Sequence, residues 1–151
     1  MRGHKPGMDD SSNPSALSFP HLIKWVEMAT RARVERAMRG APVSSSQLFA
    51  LALLAERGEA TSAELARLMH LTPQAMTTLL GPLREGGLIE RRTDEAHRRR
   101  LQLQLSAQGA ALLNELRAMA PAVEEDLLDG FDAAERATLK RLLARVARRF
   151  G

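Results

Sequence analysis

The run Thr61-Ser-Ala-Glu-Leu-Ala-Arg-Leu-Met-His-Leu-Thr-Pro-Gln-Ala-Met76 decides how this chain folds. Its opening, Thr61 to Glu64, is a capping box, in which a hydroxyl and a carboxylate three residues apart satisfy each other's neighbouring backbone N–H groups. Leu65, Leu68 and Met69 follow as the apolar face of the helix so begun. Only His70 and Leu71 separate it from Thr72-Pro73, an N-cap residue followed by proline at the first helical position, which opens another helix. Two helices joined this tightly predict a helix-turn-helix.

Upstream, Leu22, Trp25, Val26 and Ala29 recur at helical spacing from Pro20, and the helix should end near Gly40-Ala-Pro42. Ser44 to Ser46 can cap a second helix whose apolar residues, Leu48, Leu51, Ala52 and Ala55 broadened by Leu53 and Leu54, suit a central core position before Gly58 stops it. Downstream, the helix from Pro73 runs to Gly86-Gly87. Leu88 to Arg92 then reads as a strand, and Leu101, Leu103 and Leu105 alternate with Gln102 and Gln104 as its hairpin partner. Ser106 caps a fifth helix expected to reach Gly130 with a kink at Pro121, and a last helix follows Asp132. The fold expected is mainly α with a small β-hairpin wing, a winged helix-turn-helix.

In the fourth helix Met76, Leu79, Leu80 and Leu83 share one face, and Gln74, Thr77, Thr78 and Gly81 lie opposite. That polar, nearly uncharged face fits an ordinary solvated surface. Taken alone the face favours that reading, since Gln and Thr are common on exposed helices. Yet it also suits a helix laid on base edges in a major groove, where Gln bonds adenine bidentately and Thr offers its hydroxyl. The hairpin favours the second reading, because Arg91, Arg92, Arg98, Arg99 and Arg100 crowd one short element directly after the helix-turn-helix. Guanidinium groups suit phosphates and narrow minor grooves, whereas a solvated charge run is the alternative.

Composition agrees with this and excludes several functions. Hydrophobic residues make up 44% of the 151 and aromatics only 3%, so the core must come from Leu, Ala, Val and Met, which favour packed helices. The formal charge of +4 permits an anionic partner. Without cysteine there are no disulfides, zinc ribbons or thiol sensors, and a reducing, cytoplasmic setting is compatible. Four histidines at unsuitable spacings argue against a metal, and no cofactor is expected. No catalytic residues assemble from the motifs, since there is neither a Ser-His-Asp set nor a Gly-rich phosphate loop. Residues 1–18 are expected to be a flexible tail, and no segment has the apolar length of a membrane span.

From Gln47 to Gly109 the order helix-turn-helix, Gly87-Leu-Ile-Glu-Arg-Arg92, acidic-basic tip and Leu105-Ser-Ala-Gln-Gly109 resembles the multiple-antibiotic-resistance regulator (MarR) family of bacterial transcription factors. The resemblance implies a homodimer whose first, fifth and sixth helices intertwine. Residues 19–42 and 106–151 would form that dimerisation region, and 43–105 the DNA-binding lobe. The partner implied is double-stranded DNA with a pseudo-palindromic site, half-sites about one helical turn apart, bound by a repressor. The DNA-contact candidates are Ser44, Ser45, Thr61, Thr72, Gln74, Ala75, Thr77, Thr78, Arg84, Arg91, His97, Arg98, Arg99 and Arg100, with Arg99 in the minor groove. A small aromatic effector is implied as well, with His21, Trp25 and Met28 as candidate ligand contacts; the same residues also read as core or dimer contacts. Two departures stand out: His97-Arg98-Arg99 where the family has Asp-x-Arg, and Gly81-Pro82 inside the fourth helix, where a bend is expected. The rival function is a winged-helix module that binds another protein through its apolar helices.

Overall fold

The computed structural model describes residues 14–93 and 101–150. After a single 3-10 turn, Pro14–Ala16, come helices α1 (Phe19–Ala37), α2 (Ser45–Arg57), α3 (Ser62–Leu68) and α4 (Pro73–Glu85). Strands β1 (Ile89–Thr93) and β2 (Leu101–Leu105) follow, then α5 (Ala107–Arg117), α6 (Ala120–Leu127) and α7 (Ala133–Ala147). The architecture is the expected one, helices plus one antiparallel hairpin, with Ile89 opposite Leu105 and Thr93 opposite Leu101.

Local caps explain where the helices start. Ser44, Thr61 and Asp132 each accept from the backbone N–H three residues on, while Gln47, Glu64 and Glu135 reach back, so α2, α3 and α7 all begin in complete capping boxes. Thr72 and Ser106 cap α4 and α5 through one side-chain bond each. Gly58, at φ 76°, ends α2 in the left-handed region where a Cβ is costly.

The fifth helix expected to run to Gly130 is instead two helices. It breaks at Ala118 and Met119, ahead of Pro121, because proline is tolerated in the first turn of a new helix but not within an old one. By contrast α4 runs through Gly81 and Pro82 to Glu85, so the expected disruption does not end the helix.

The core lies in the lobe built by α2 to α5 and the hairpin. Leu51, Leu54, Leu65, Met76, Leu83 and Leu113 are its largest fully buried side chains. None of α1, α6 and α7 contributes a buried residue between its ends. Their apolar faces stay open: Trp25, Val26 and Met28 on α1 and Leu142, Leu143 and Val146 on α7 are all exposed. The helical periodicity of α1 is therefore real, but Trp25, Val26 and Met28 are left uncovered by the described residues.

Candidate nucleic-acid interface

The turn between α3 and α4 is closed by Leu71, whose N–H donates 2.8 Å to the Ala66 carbonyl, with His70 in the left-handed region at φ 52°. This holds α4 against α3 by Met76, Leu80 and Leu83, and leaves Gln74, Ala75, Thr77 and Thr78 exposed together on the other side. The hydroxyls of Thr77 and Thr78 donate to the carbonyls of Pro73 and Gln74, 3.0 and 3.1 Å away, one turn back. Each therefore points a fixed oxygen outward that can still accept a bond, and the Gln74 carboxamide is the longest polar group on the face.

Candidates elsewhere divide by position. Thr72 and Ser44 are exposed at the first residues of α4 and α2, where unpaired backbone N–H groups favour an anion. Ser45 is half-buried and donates 3.2 Å to Glu35 of α1. Thr61 is half-buried too, and its hydroxyl donates 2.9 Å to Glu64, so its polar atoms serve the start of α3. Arg84, in the last turn of α4, and Arg91, on β1, are exposed. His97, Arg98, Arg99 and Arg100 lie outside the described residues.

The base of the wing is anchored in a way the alternating pattern of β2 does not reveal. Ala60, just before α3, pairs with Leu103 through backbone bonds of 3.0 and 2.8 Å, so the helix-turn-helix and the hairpin share a rung. On the other side Ser106 donates 2.5 Å to the Gly87 carbonyl and accepts from Gly109 N–H at 3.0 Å. Wing, turn and α5 thus meet at one knot, which explains the Leu105-Ser-Ala-Gln-Gly109 run.

Between this lobe and the open helices lies a cleft of about 1130 Å³. Val34, Met38, Leu113 and Met119 are among its apolar walls, and Arg117 and Lys140 reach it. The candidate ligand contacts His21, Trp25 and Met28 are exposed on α1 and do not line it, although Val26 and Glu27, between the last two, do; His21 Nδ1 is 2.7 Å from the Ser18 hydroxyl. The residues that sequence reasoning passed over, Val34 and Met38 among them, look like ordinary core positions in a linear reading. Among the described residues no cluster of His, Asp and Glu is arranged to hold a metal. None of their helices is long and apolar enough to cross a membrane.

A capped helix-turn-helix with a polar outer face, a hairpin bonded to Ala60 just ahead of it and a first strand that carries the exposed Arg91 and Arg92 define a winged helix-turn-helix protein. A family model described as the MarR family matches residues 41–100. The HTH-type transcriptional repressor Rv2887 of Mycobacterium tuberculosis is 29% identical over 126 residues, spanning 83% of this chain and 91% of the relative. The crystal structure of Rv2887 in complex with p-aminosalicylic acid superposes with a TM-score of 0.73 at 28% identity, covering 86% of this chain and 98% of that one. A cysteine-to-serine mutant of MarR from E. coli complexed with operator DNA shares the fold, with a TM-score of 0.73, 23% identity and coverages of 84% and 91%. Over residues 41–100 the chain thus matches the MarR family, and along most of its length it is similar to winged-helix transcriptional repressors.

Proposed function

We propose that this regulator acts as a homodimeric repressor that reads a pseudo-palindromic operator through α4 and grips the backbone through its wing. The observation that carries this is the exposed Gln74, Thr77 and Thr78 face, held rigidly at the end of a tight turn and free of charges that would bind any phosphate indiscriminately. Gln74 supplies the bidentate group suited to adenine, and the two threonines suit a thymine methyl or a base-edge donor. Backbone N–H groups at the starts of α2 and α4, with Arg84, Arg91 and the tip residues His97 to Arg100, supply phosphate and minor-groove contacts. Residues 19–42 and 106–151 form the dimer, because the exposed faces of α1 and α7 amount to an apolar surface that soluble proteins rarely leave open. Trp25 and Met28 belong to that contact.

The cleft between lobe and dimer helices suits a small aromatic acid, its ring among Met38, Leu113 and Met119 and its carboxylate toward Lys140 or Arg117. The bound p-aminosalicylic acid in Rv2887 supports the same class of ligand. Filling the cleft would change the spacing of the two reading heads and weaken DNA binding.

The test is fluorescence anisotropy on a duplex selected from a randomised pool and on a scrambled duplex, over a salt series. Gln74→Ala or Thr78→Ala should relax discrimination by about 1 to 3 kcal/mol at particular base pairs, and Arg91→Ala should weaken both duplexes equally and reduce the salt slope by about one. Wild-type binding with no difference between the duplexes would overturn base reading by α4, and absence of any salt-dependent binding would favour the protein-binding module.

A further inference from the structure

Gln47 has every polar group of its backbone amide and side chain directed to a defined partner. Its N–H donates 3.2 Å to the Ser44 hydroxyl and its Oε1 accepts from the Ser44 N–H at 2.9 Å, completing the cap of α2. The remaining group, Nε2, leaves that helix altogether and donates 3.2 Å to the carbonyl of Leu79, 32 residues further on, in the middle of α4. The side chain is half-buried, so this is a bond made partly out of water.

The carbonyl it reaches lies beside a gap in the bonding of α4. Pro82 has no N–H, so the Thr78 carbonyl loses its partner one turn on. Gln47 meets α4 at the next residue, Leu79, on the turn following Gln74. A small cleft of about 130 Å³ bounded by Gln47, Pro82, Leu83 and Leu88 lies alongside the bond.

We propose that Gln47 is a positioning residue for the base-reading face: anchored by the cap of α2, its carboxamide holds α4 by the Leu79 carbonyl and so fixes the angle at which Gln74, Thr77 and Thr78 meet a groove. This rests on the reading of α4 as the recognition helix. The bond lies one residue from the Thr78 carbonyl that Pro82 leaves without its helical partner, so it supports α4 where the helix has one bond fewer.

Gln47→Glu separates the two duties. The carboxylate still accepts from Ser44 N–H, so the cap survives, but it cannot donate to Leu79 and repels its carbonyl. The measurement is the ratio of affinities for a pool-selected duplex and a scrambled duplex, with Gln47→Ala as a second variant and Asp132→Ala, which weakens only the cap of α7, as a stability control. The ratio should fall about tenfold or more in both Gln47 variants, beyond any loss common to the two duplexes that a disturbed α2 cap brings, and should hold in the control despite its lower Tm. An unchanged ratio, or equal losses on both duplexes, would overturn the positioning role while leaving base reading intact. A wild-type ratio near one would instead overturn base reading, and the positioning role with it.

Discussion

Ala60 and Leu103 exchange both of their backbone hydrogen bonds, at 3.0 and 2.8 Å, although one sits before a helix and the other in the middle of a strand. This short ladder sets the wing beside the helix-turn-helix rather than leaving it on a flexible stalk. Leu103 is buried there, whereas Leu101, two residues earlier on the same strand, is 52% exposed. Leu103→Ala should therefore cost about 2 to 5 kcal/mol in urea denaturation, and Leu101→Ala no more than about 0.5. Equal losses would mean that the strand is not seated as described.

Two glycines make an opposed pair. A Cβ at Gly109 would sit 1.9 Å from the Leu88 carbonyl oxygen, whereas one at Gly81 would meet nothing within 4 Å. Gly109→Ala should force α5 off the hairpin and lower stability by about 3 kcal/mol or more, while Gly81→Ala should raise it by about 1 kcal/mol through helix propensity. Thermal melts of the two variants check this directly.

Arg136 closes the corner between α6 and α7, donating to both carboxylate oxygens of Glu125 and to the carbonyls of Leu128 and Phe131. The hydrogen bonds from Arg136 hold the Glu125 carboxyl below its ordinary range. A depressed carboxyl pKa means that this stabilisation is complete above the unfolded value of about 4.3 and is lost progressively as pH falls from there through the lower folded one. Because the pair is largely exposed, the effect will be small and screened by salt. Glu125→Gln should remove the pair's pH dependence in this window, as read by acid titration of Tm at low ionic strength.

Leu143 and Val146 lie on the open apolar face of α7, 43% and 37% exposed. Under the dimer proposal, replacing either with Glu should bury a charge without a partner and shift the chain toward monomer, halving its mass by light scattering. DNA affinity should fall in step, since two reading heads bind as one unit. A mass unaffected by either change would count against the proposed dimer helices.

The local elements were legible because their causes are local. Thr61 with Glu64, Thr72 with Pro73, Ser106 with Gly109 and Asp132 with Glu135 bond or pre-organise within one turn of chain, so adjacency alone specifies where helices begin. The polar face of α4 was legible for the same reason, as spacing places Gln74, Thr77 and Thr78 together. The break at Met119 was not, because Pro121 permits either a kink or a new first turn and packing chooses. His21, Trp25 and Met28 read in the sequence as ligand contacts or as core or dimer contacts, and that Val26, Val34 and Met38 line the cleft depends on how α1 rotates on the lobe.

Sequence by itself determined a helix-turn-helix followed by a hairpin, and with it the family resemblance, since those features rest on bonds between residues a few positions apart. Tertiary structure alone decided that Ala60 pairs with Leu103, that Gly109 must pass beneath Leu88, that Gln47 reaches Leu79, and that α1 and α7 are left with apolar faces uncovered. Those outcomes depend on which surfaces meet once the chain has collapsed, and close packing, unlike a cap, is a property of no single stretch of residues.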